Sequence, residues 1–405
     1  MNGARADALV NFAAHPLAWP AARVLRRIGP MVRLPGLGYA ISDAALVHDV
    51  LLRDEEFTKN GPGSFAAQMT AALGPAALAN MDGPPHLALR ERLTSIFSPA
   101  GARRLLAGCD APLLLLRSDL RDGRVVDLVR FMRLLSGRVT FDMLGVPLPL
   151  GGEADACLRL VALGERIAAS LTLRPPSDTT MRAVRADCDQ LADYCRIGYD
   201  APDAPEQSLM ARLRQQGLTF EEARGIISLV FLAGTITTAA SLPRIVALLV
   251  DTGQWPRRPS PNDDPPFDAG SWAPRAIAEG LRYTAPVPAT MRIAAHDTVL
   301  RGCPIARGTR LVLLTCNAAR DAALFPDPDR FDVSRVHDPR ARNLWFGAGV
   351  HFCLGFAVAQ RQLQLALETL LAEPGALQIV RRRRGGRSLV ASYALLDVRL
   401  APMTA

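Results

Sequence analysis

The sequence predicts a mainly α fold with a small β region. Three observations carry that expectation. Thr219-Phe220-Glu221-Glu222 is a capping box, a hydroxyl residue three positions before an acid, and it opens an apolar run from Ala223 to about Leu249. Leu354 to Leu367 repeats apolar residues at helical spacing among good helix formers. Strand signals are short and confined to about 31–42, 286–314 and 377–401.

Taken in order, residues 1–30 are helix-prone, broken by prolines, and read as a packed lead-in. Met31–Leu34 and Tyr39–Ser42 flank Pro35-Gly36-Leu37-Gly38, a hairpin signal, and Asp43 to Leu52 reads as a helix. Residues 60–81 are rich in Gly, Pro and Ala without periodicity, which suits a long surface loop. The next helix starts after Asp82-Gly83-Pro84-Pro85, since the prolines stop what precedes them. Several amphipathic helices separated by breakers fill 102–212. The capping-box helix has roughly 28 residues and is about 42 Å long at 1.5 Å per residue. A proline-rich connector from Trp255 to Trp272 leads to another helix, then to strands at 287–292 and 309–314. The helix after Cys353 and a final hairpin end the chain.

Composition narrows the function classes. With 49% hydrophobic and 21% charged residues among 405, the chain can bury a large core. The charge of +8 rests on arginine, for Lys59 is the one lysine among 47 basic residues. The basic residues are dispersed and aromatics are few, which disfavours nucleic-acid binding. Seven scattered cysteines show no CxxC pair, so reduced thiols in a cytoplasm are expected. The N-terminus lacks a signal-peptide layout, and no run is expected to reach the roughly 20 apolar residues of a membrane span; Ile226–Ala233 is the strongest and is too short.

Four patterns carry chemistry. In Phe346-Gly347-Ala348-Gly349-Val350-His351-Phe352-Cys353-Leu354-Gly355, two glycines permit a tight loop that approaches something flat and delivers a cysteine to a helix start. The helix dipole and free N–H groups there favour a thiolate, as an axial ligand of haem iron would need. His86 and Arg90 lie i, i+4 on one face, which suits an anionic group or a solvated helix face. Gly234, Thr235, Thr237 and Thr238 are poor choices mid-helix, and suggest either a local kink with hydroxyls competing for carbonyls or a close helix–helix contact. Glu279 and Arg282, at i, i+3, can pair.

Together these patterns resemble the cytochrome P450 family. The cysteine loop matches its Phe-Gly-x-Gly-x-His-x-Cys-x-Gly pattern at every defined position, and the landmarks run in order from His86 to the final hairpin. The resemblance implies one P450 domain over 1–405, a triangular helical prism around haem b. Cys353 would be the iron ligand, with Phe346, Gly347 and Gly355 shaping its loop. His86, Arg90, Arg292 and His351 would bind haem propionates. Ala233, Gly234, Thr237 and Thr238 would form the oxygen-binding groove, and Arg330 would complete a buried network with Glu279 and Arg282. Phe65, Met69, Leu73, Ile236, Val287, Ala289, Thr290, Ser392 and Tyr393 would face the substrate.

The implied activity is insertion of one oxygen atom from O2 into an apolar small molecule, with electrons from a ferredoxin or flavodoxin and its reductase. A cytoplasmic monomer without a membrane anchor, in specialised metabolism, is expected. Two departures stand out. Ile236 occupies the family's usual acid position, which motivates an alternative of oxidative coupling, desaturation or peroxide use with atypical proton delivery. A non-catalytic haem binder or sensor is an alternative of another class. Gln360 and Gln362 replace a frequent Arg and Glu, and are expected to alter the partner-facing surface.

Overall fold

The computed structural model describes residues 3–61, 66, 70, 76–170, 178–202, 208–256, 268–336, 343–373 and 375–401. The lead-in is two helices, α1 (Gly3–Ala14) and α2 (Ala18–Ile28). Arg244, 1% exposed, clamps α1 to the molecule's centre through Asp7 at 2.8 Å and Asn11 at 3.0 Å. Strands β1 (Met31–Leu34) and β2 (Gly38–Ile41) form the expected antiparallel hairpin, with Leu34 opposite Gly38. Gly38 has φ +96°, and a Cβ there would run into the Arg310 carbonyl, so glycine permits the next strand to approach. Asp43 caps α3 (Ala44–Leu52), accepting from the Leu46 N–H at 2.8 Å.

After β3 (Phe57–Thr58) come α4 (Gly83–Thr94), α5 (Pro99–Leu105) and α6 (Asp110–Arg121). Strand β4 (Val126–Asp127) leads into α7 (Leu128–Leu144), α8 (Glu153–Ser170), α9 (Asp178–Asp200) and α10 (Leu209–Gln215). The capping-box helix, α11 (Phe220–Asp251), has 32 residues and runs three residues earlier than the sequence predicts. Its box is complete: Thr219 N–H donates to Glu222 at 2.8 Å while the Thr219 hydroxyl accepts from Glu222 N–H.

By length and composition α11 could span a bilayer, with mean hydropathy 1.8 over 18 residues, contrary to the expectation that no run comes near. Its threonines and Gly234 interrupt the apolar run, but the surrounding Ile, Leu, Val and Phe keep the window mean high. Two-thirds of that window is buried against protein, as in the core helix of a globular fold.

The second half holds α12 (Ala269–Thr284), β5 (Thr290–Ala294), β6 (Thr298–Leu300), β7 (Cys303–Ile305), β8 (Arg310–Leu313) and α13 (Thr315–Ala318). It closes with α14 (Phe356–Ala372), β9 (Leu377–Arg384) and β10 (Tyr393–Leu400). Among the described residues, one sheet has the order β1-β2-β8-β5-β3, a second β4-β10-β9, and β6-β7 is a separate hairpin. The β6-β7 pair was not anticipated. Arg381–Arg384 lie on β9, where Arg381 pairs with Asp397 at 2.8 Å and Arg382 with Asp251 at 2.6 Å. The main apolar core joins α7, α8, α11, α12 and α14.

Candidate active site

One cavity, of about 380 Å³, lies between α11 and the cysteine loop. The loop is built as the glycines require: Gly347 has φ +82° and Gly349 φ +64°. Gly349 is needed for a different reason from the one the sequence suggests. A Cβ there would sit 2.7 Å from the Leu51 carbonyl oxygen, so it serves a backbone crossing, whereas Gly347 lines the cavity. At Gly234 and Gly355 an added Cβ would meet nothing within 4 Å, and both leave bare backbone facing the space.

Cys353 lines the cavity, its N–H donating to the Phe346 carbonyl at 3.0 Å. Helix α14 starts only at Phe356, with Gly355 as its cap, so the cysteine precedes the helix instead of opening it. The expected depressed thiol is corrected accordingly. Burial pushes the Cys353 pKa up, while Gly355 N–H, Arg90 and Lys59 act against that rise without reversing it.

Near the cysteine loop, α4 brings His86 and Arg90 to the cavity from one face. Arg90 donates to the Phe352 carbonyl at 2.7 Å. His86 is 1% exposed, and its Nδ1 finds no hydrogen-bond partner among the described residues. Its ring stacks on His351 with centroids 4.3 Å apart. His351 Nε2 lies 3.3 Å from Asp82 Oδ1, and burial holds His351 down to about 4. On β5, Thr290 and Arg292 share one face of the pleat and both line the cavity. Arg292 is 2% exposed, donates to the Met291 carbonyl at 2.8 Å, and has no carboxylate partner among the described residues. Burial lowers its pKa to about 10.

The wall therefore carries three basic side chains, Lys59, Arg90 and Arg292, and no carboxylate among the described residues. A buried charge without a counter-charge is costly, as is an orphaned imidazole nitrogen. Both fit a group that presents carboxylates at this end and a flat apolar body along the glycines, as haem does. Lys59 was missed as a site residue; its being the sole lysine of the chain was the available signal.

The far wall is α11, with Ala233, Gly234, Thr237 and Thr238 on the cavity. Hydroxyls do bond backwards along this helix: Thr237 to the Ala233 carbonyl at 2.7 Å, Thr238 to that of Gly234 at 2.6 Å, Ser241 to that of Thr237 at 2.6 Å. Thr237 has thus placed its proton on the helix, and its oxygen remains an acceptor toward the cavity. Behind Thr238 sits a buried polar group: Ser136 Oγ is 3.2 Å from the Thr238 hydroxyl and accepts from Gln362 at 3.0 Å.

Several expected substrate contacts are corrected. Ile236 does not line the cavity; it lies off the stripe 230, 233, 234, 237 and 241, and packs against the main core. Ala289 belongs to the apolar cluster around Trp19 and Leu314, since it lies on the pleat face opposite Thr290. Tyr393 is buried in the main core beside Arg382, and neither it nor Ser392 reaches the cavity. Val287 lines the cavity, as does Phe346. Phe65, Met69 and Leu73 lie outside the described residues.

The ion network is also redrawn. Glu279 and Arg282 pair at 2.6 Å, fully buried. Arg330 points outward, its side chain 70% exposed beside Asp332, and contributes only its carbonyl, to Arg282 at 3.2 Å. The third side chain is Arg335, 8% exposed and 3.4 Å from Glu279. Gln362 is 3% exposed, so it faces Ser136 and not a partner surface.

With this geometry the relatives agree. The cytochrome P450 family model matches residues 273–373, which include Glu279, Arg282 and the cysteine loop. The chain is 31% identical over 322 residues to erythromycin C-12 hydroxylase of Saccharopolyspora erythraea, covering 76% of this chain and 75% of that one. It is 32% identical over 306 residues to cytochrome P450-SU2 of Streptomyces griseolus, covering 72% and 68%. A structure of a P450 EryK mutant in complex with erythromycin B superposes with TM-score 0.75 at 26% identity, over 100% of this chain and 99% of that one. CalO2 superposes with TM-score 0.77 over 97% of both chains at 24% identity, a likeness of fold. The chain belongs to the cytochrome P450 family of haem-thiolate monooxygenases.

Proposed function

We propose that this chain binds haem b through Cys353 and hydroxylates an apolar small molecule of specialised metabolism, drawing electrons from a ferredoxin or flavodoxin with its reductase. When bound, the haem would supply dioxygen activation, and its iron would favour the Cys353 thiolate that burial alone disfavours, the thiol proton passing to solvent. The observation that carries this reading is the cavity itself: the Cys353 thiol and the Thr237 hydroxyl line one space whose walls hold three basic side chains and, among the described residues, no carboxylate.

The residues divide the work by position. His86, Arg90, Arg292 and His351 hold the propionates. Gly234 and Gly355 leave room for a flat ring. Phe346 covers the cysteine side, where the Phe346 and Phe356 rings meet edge to face at 4.9 Å. Val287, Thr290, Ile227 and Val230 offer a mostly apolar surface that orients substrate and excludes water. The Thr237 oxygen accepts a hydrogen bond from a water or substrate hydroxyl and holds that proton near the reacting atoms. Glu279, Arg282 and Arg335 hold the loop of 328–335 against α12 and act structurally.

The test is Cys353→Ala. Loss of the red-shifted ferrous–CO Soret band is the expected result, and an unchanged band would rule out Cys353 as the ligand. Product analysis under labelled dioxygen tests the reaction: one labelled oxygen atom in the product supports hydroxylation, and none would replace it with coupling or desaturation.

A further inference from the structure

Helix α2 is mounted with its apolar face outward. Leu17, Ala21, Val24 and Ile28 follow one another at spacings of four, three and four, which puts them on a single helical stripe. Such a stripe is ordinarily the face that a helix buries. Here Leu17 is 84% exposed, Val24 53% and Ile28 64%, and Ala21 is exposed with them. What α2 does bury is the side carrying Trp19 and Ala22, which pack against Ala40, Leu314 and Cys316. Arg26 lies between those two around the helix and pairs with Asp329 at 2.9 Å. Single exposed aliphatic residues are common on any protein, whereas an aligned set of this length marks a contact surface.

Charge decides what fits that surface. Arg23 and Arg27, at i and i+4, flank the stripe on one side. Both are exposed, and neither joins an ion pair among the described residues. Residues 1–42 hold five arginines and one acid, and that acid, Asp7, is buried against Arg244. Asp329 is taken up by Arg26 and Arg320. A second copy of the chain would bring the same arginines opposite these, since a two-fold contact sets one patch against itself. The β1–β2 hairpin that follows α2 adds Leu37, 58% exposed at its turn, and the exposed Arg33. Leu17 and Leu37 thus protrude from a helix end and a hairpin tip. That shape enters a lipid headgroup layer, where a protein partner would need matching pockets.

We propose that α2, with the β1–β2 hairpin after it, is a peripheral docking surface for an anionic membrane. The aliphatic stripe enters the headgroup layer and Arg23 and Arg27 meet lipid phosphates. The chain lies on the bilayer through this surface and does not cross it. Nothing in the proposal depends on what fills the cavity, so it stands or falls apart from the haem reading.

The test is sedimentation of the whole chain, as holoenzyme, with lipid vesicles at about 0.1 M salt. Vesicles of equal parts phosphatidylglycerol and phosphatidylcholine should carry the parent down, and phosphatidylcholine alone should bind it about tenfold less or weaker still. Arg23→Gln/Arg27→Gln should weaken binding to the anionic vesicles about twentyfold. Leu17→Ser/Ile28→Ser should weaken it about tenfold, with the ferrous–CO band unchanged as the sign of an intact fold. Leu114→Ser/Leu115→Ser alters two leucines of α6 that are just as exposed, and should bind like the parent.

A parent protein that stays in solution beside anionic vesicles would overturn the proposal. So would equal binding by the parent and Leu17→Ser/Ile28→Ser. A dimer that this serine variant dissolves, without vesicle binding, would assign the face to a second copy and overturn the membrane reading. Slower ferredoxin-supported reduction in Arg23→Gln/Arg27→Gln, again without vesicle binding, would overturn it in favour of an acidic protein.

Discussion

Glu279 and Arg282 meet as a two-bond pair, Nε to Oε2 at 2.6 Å and Nη2 to Oε1 at 2.8 Å, both side chains entirely out of solvent. Arg282 Nη1 also donates to the Ala319 and Pro328 carbonyls, at 2.8 and 2.9 Å. One turn of α12 thereby holds the chain that leads to the cysteine loop. Removing one partner of a buried pair leaves an uncompensated charge. Glu279→Ala should cost about 3–5 kcal/mol in denaturant unfolding. Arg335→Ala should also destabilise clearly, whereas exposed Arg330→Ala should stay within about 0.5 kcal/mol of the parent. Equal effects for the two arginines would contradict the network as the fold arranges it.

Thr237→Ala removes a hydroxyl of α11 that combines a backbone-held proton with a cavity-facing oxygen. Product formed per NADH consumed should fall by about tenfold or more, with substrate-induced spectral binding little changed. An unaltered coupling ratio would remove Thr237 from proton handling.

Ile236→Asp discriminates between the sequence pattern and the fold. A family acid restored at this position would be expected to speed turnover if proton supply were limiting. Because Ile236 packs against the core and away from the cavity, the carboxylate should instead lose stability by about 1–3 kcal/mol with no gain in coupled turnover. Faster coupled turnover would show that this side of α11 reaches the reaction after all.

Gln362→Leu strips Ser136 of its donor inside the protein. A buried polar group losing its partner should cost about 1–3 kcal/mol on unfolding, while the ferrous–CO band is preserved. Altered binding of the redox partner without a stability change would argue for the surface role that the sequence suggests.

His15 supplies a pH dependence. Burial first, then Arg244, holds its pKa below the ordinary value, against a backbone contact to Leu389. The unfolded chain therefore binds a proton near pH 6.5 that the folded chain resists, so stability present above that pH declines as pH falls below it. His15→Asn should flatten the decline between pH 7.5 and 5.5 in urea unfolding. An unchanged slope would mean that another group controls it.

Legibility followed the range of the interactions. The capping box at Thr219, the helix from Asp43, the hairpin at about 31–42 and the cysteine loop were readable because each depends on residues a few positions apart. The same is true of His86 with Arg90 and Glu279 with Arg282, whose partners share a helix face. Placement was less readable where it turns on a strand's face or a distant neighbour. Thr290 and Ala289 were both assigned to the pocket, yet successive residues of a strand point to opposite sides.

By itself the sequence determined the family, the mainly α fold and the cysteine that the site is built around, since these are written in contiguous motifs. Only the tertiary structure decided that Arg335 and not Arg330 joins Glu279, that Ile236 and Gln362 turn into the protein, and that Lys59 lines the cavity. The reason is physical: charge compensation and burial are set by which elements meet across the fold, and a one-residue change of register exchanges core for cavity.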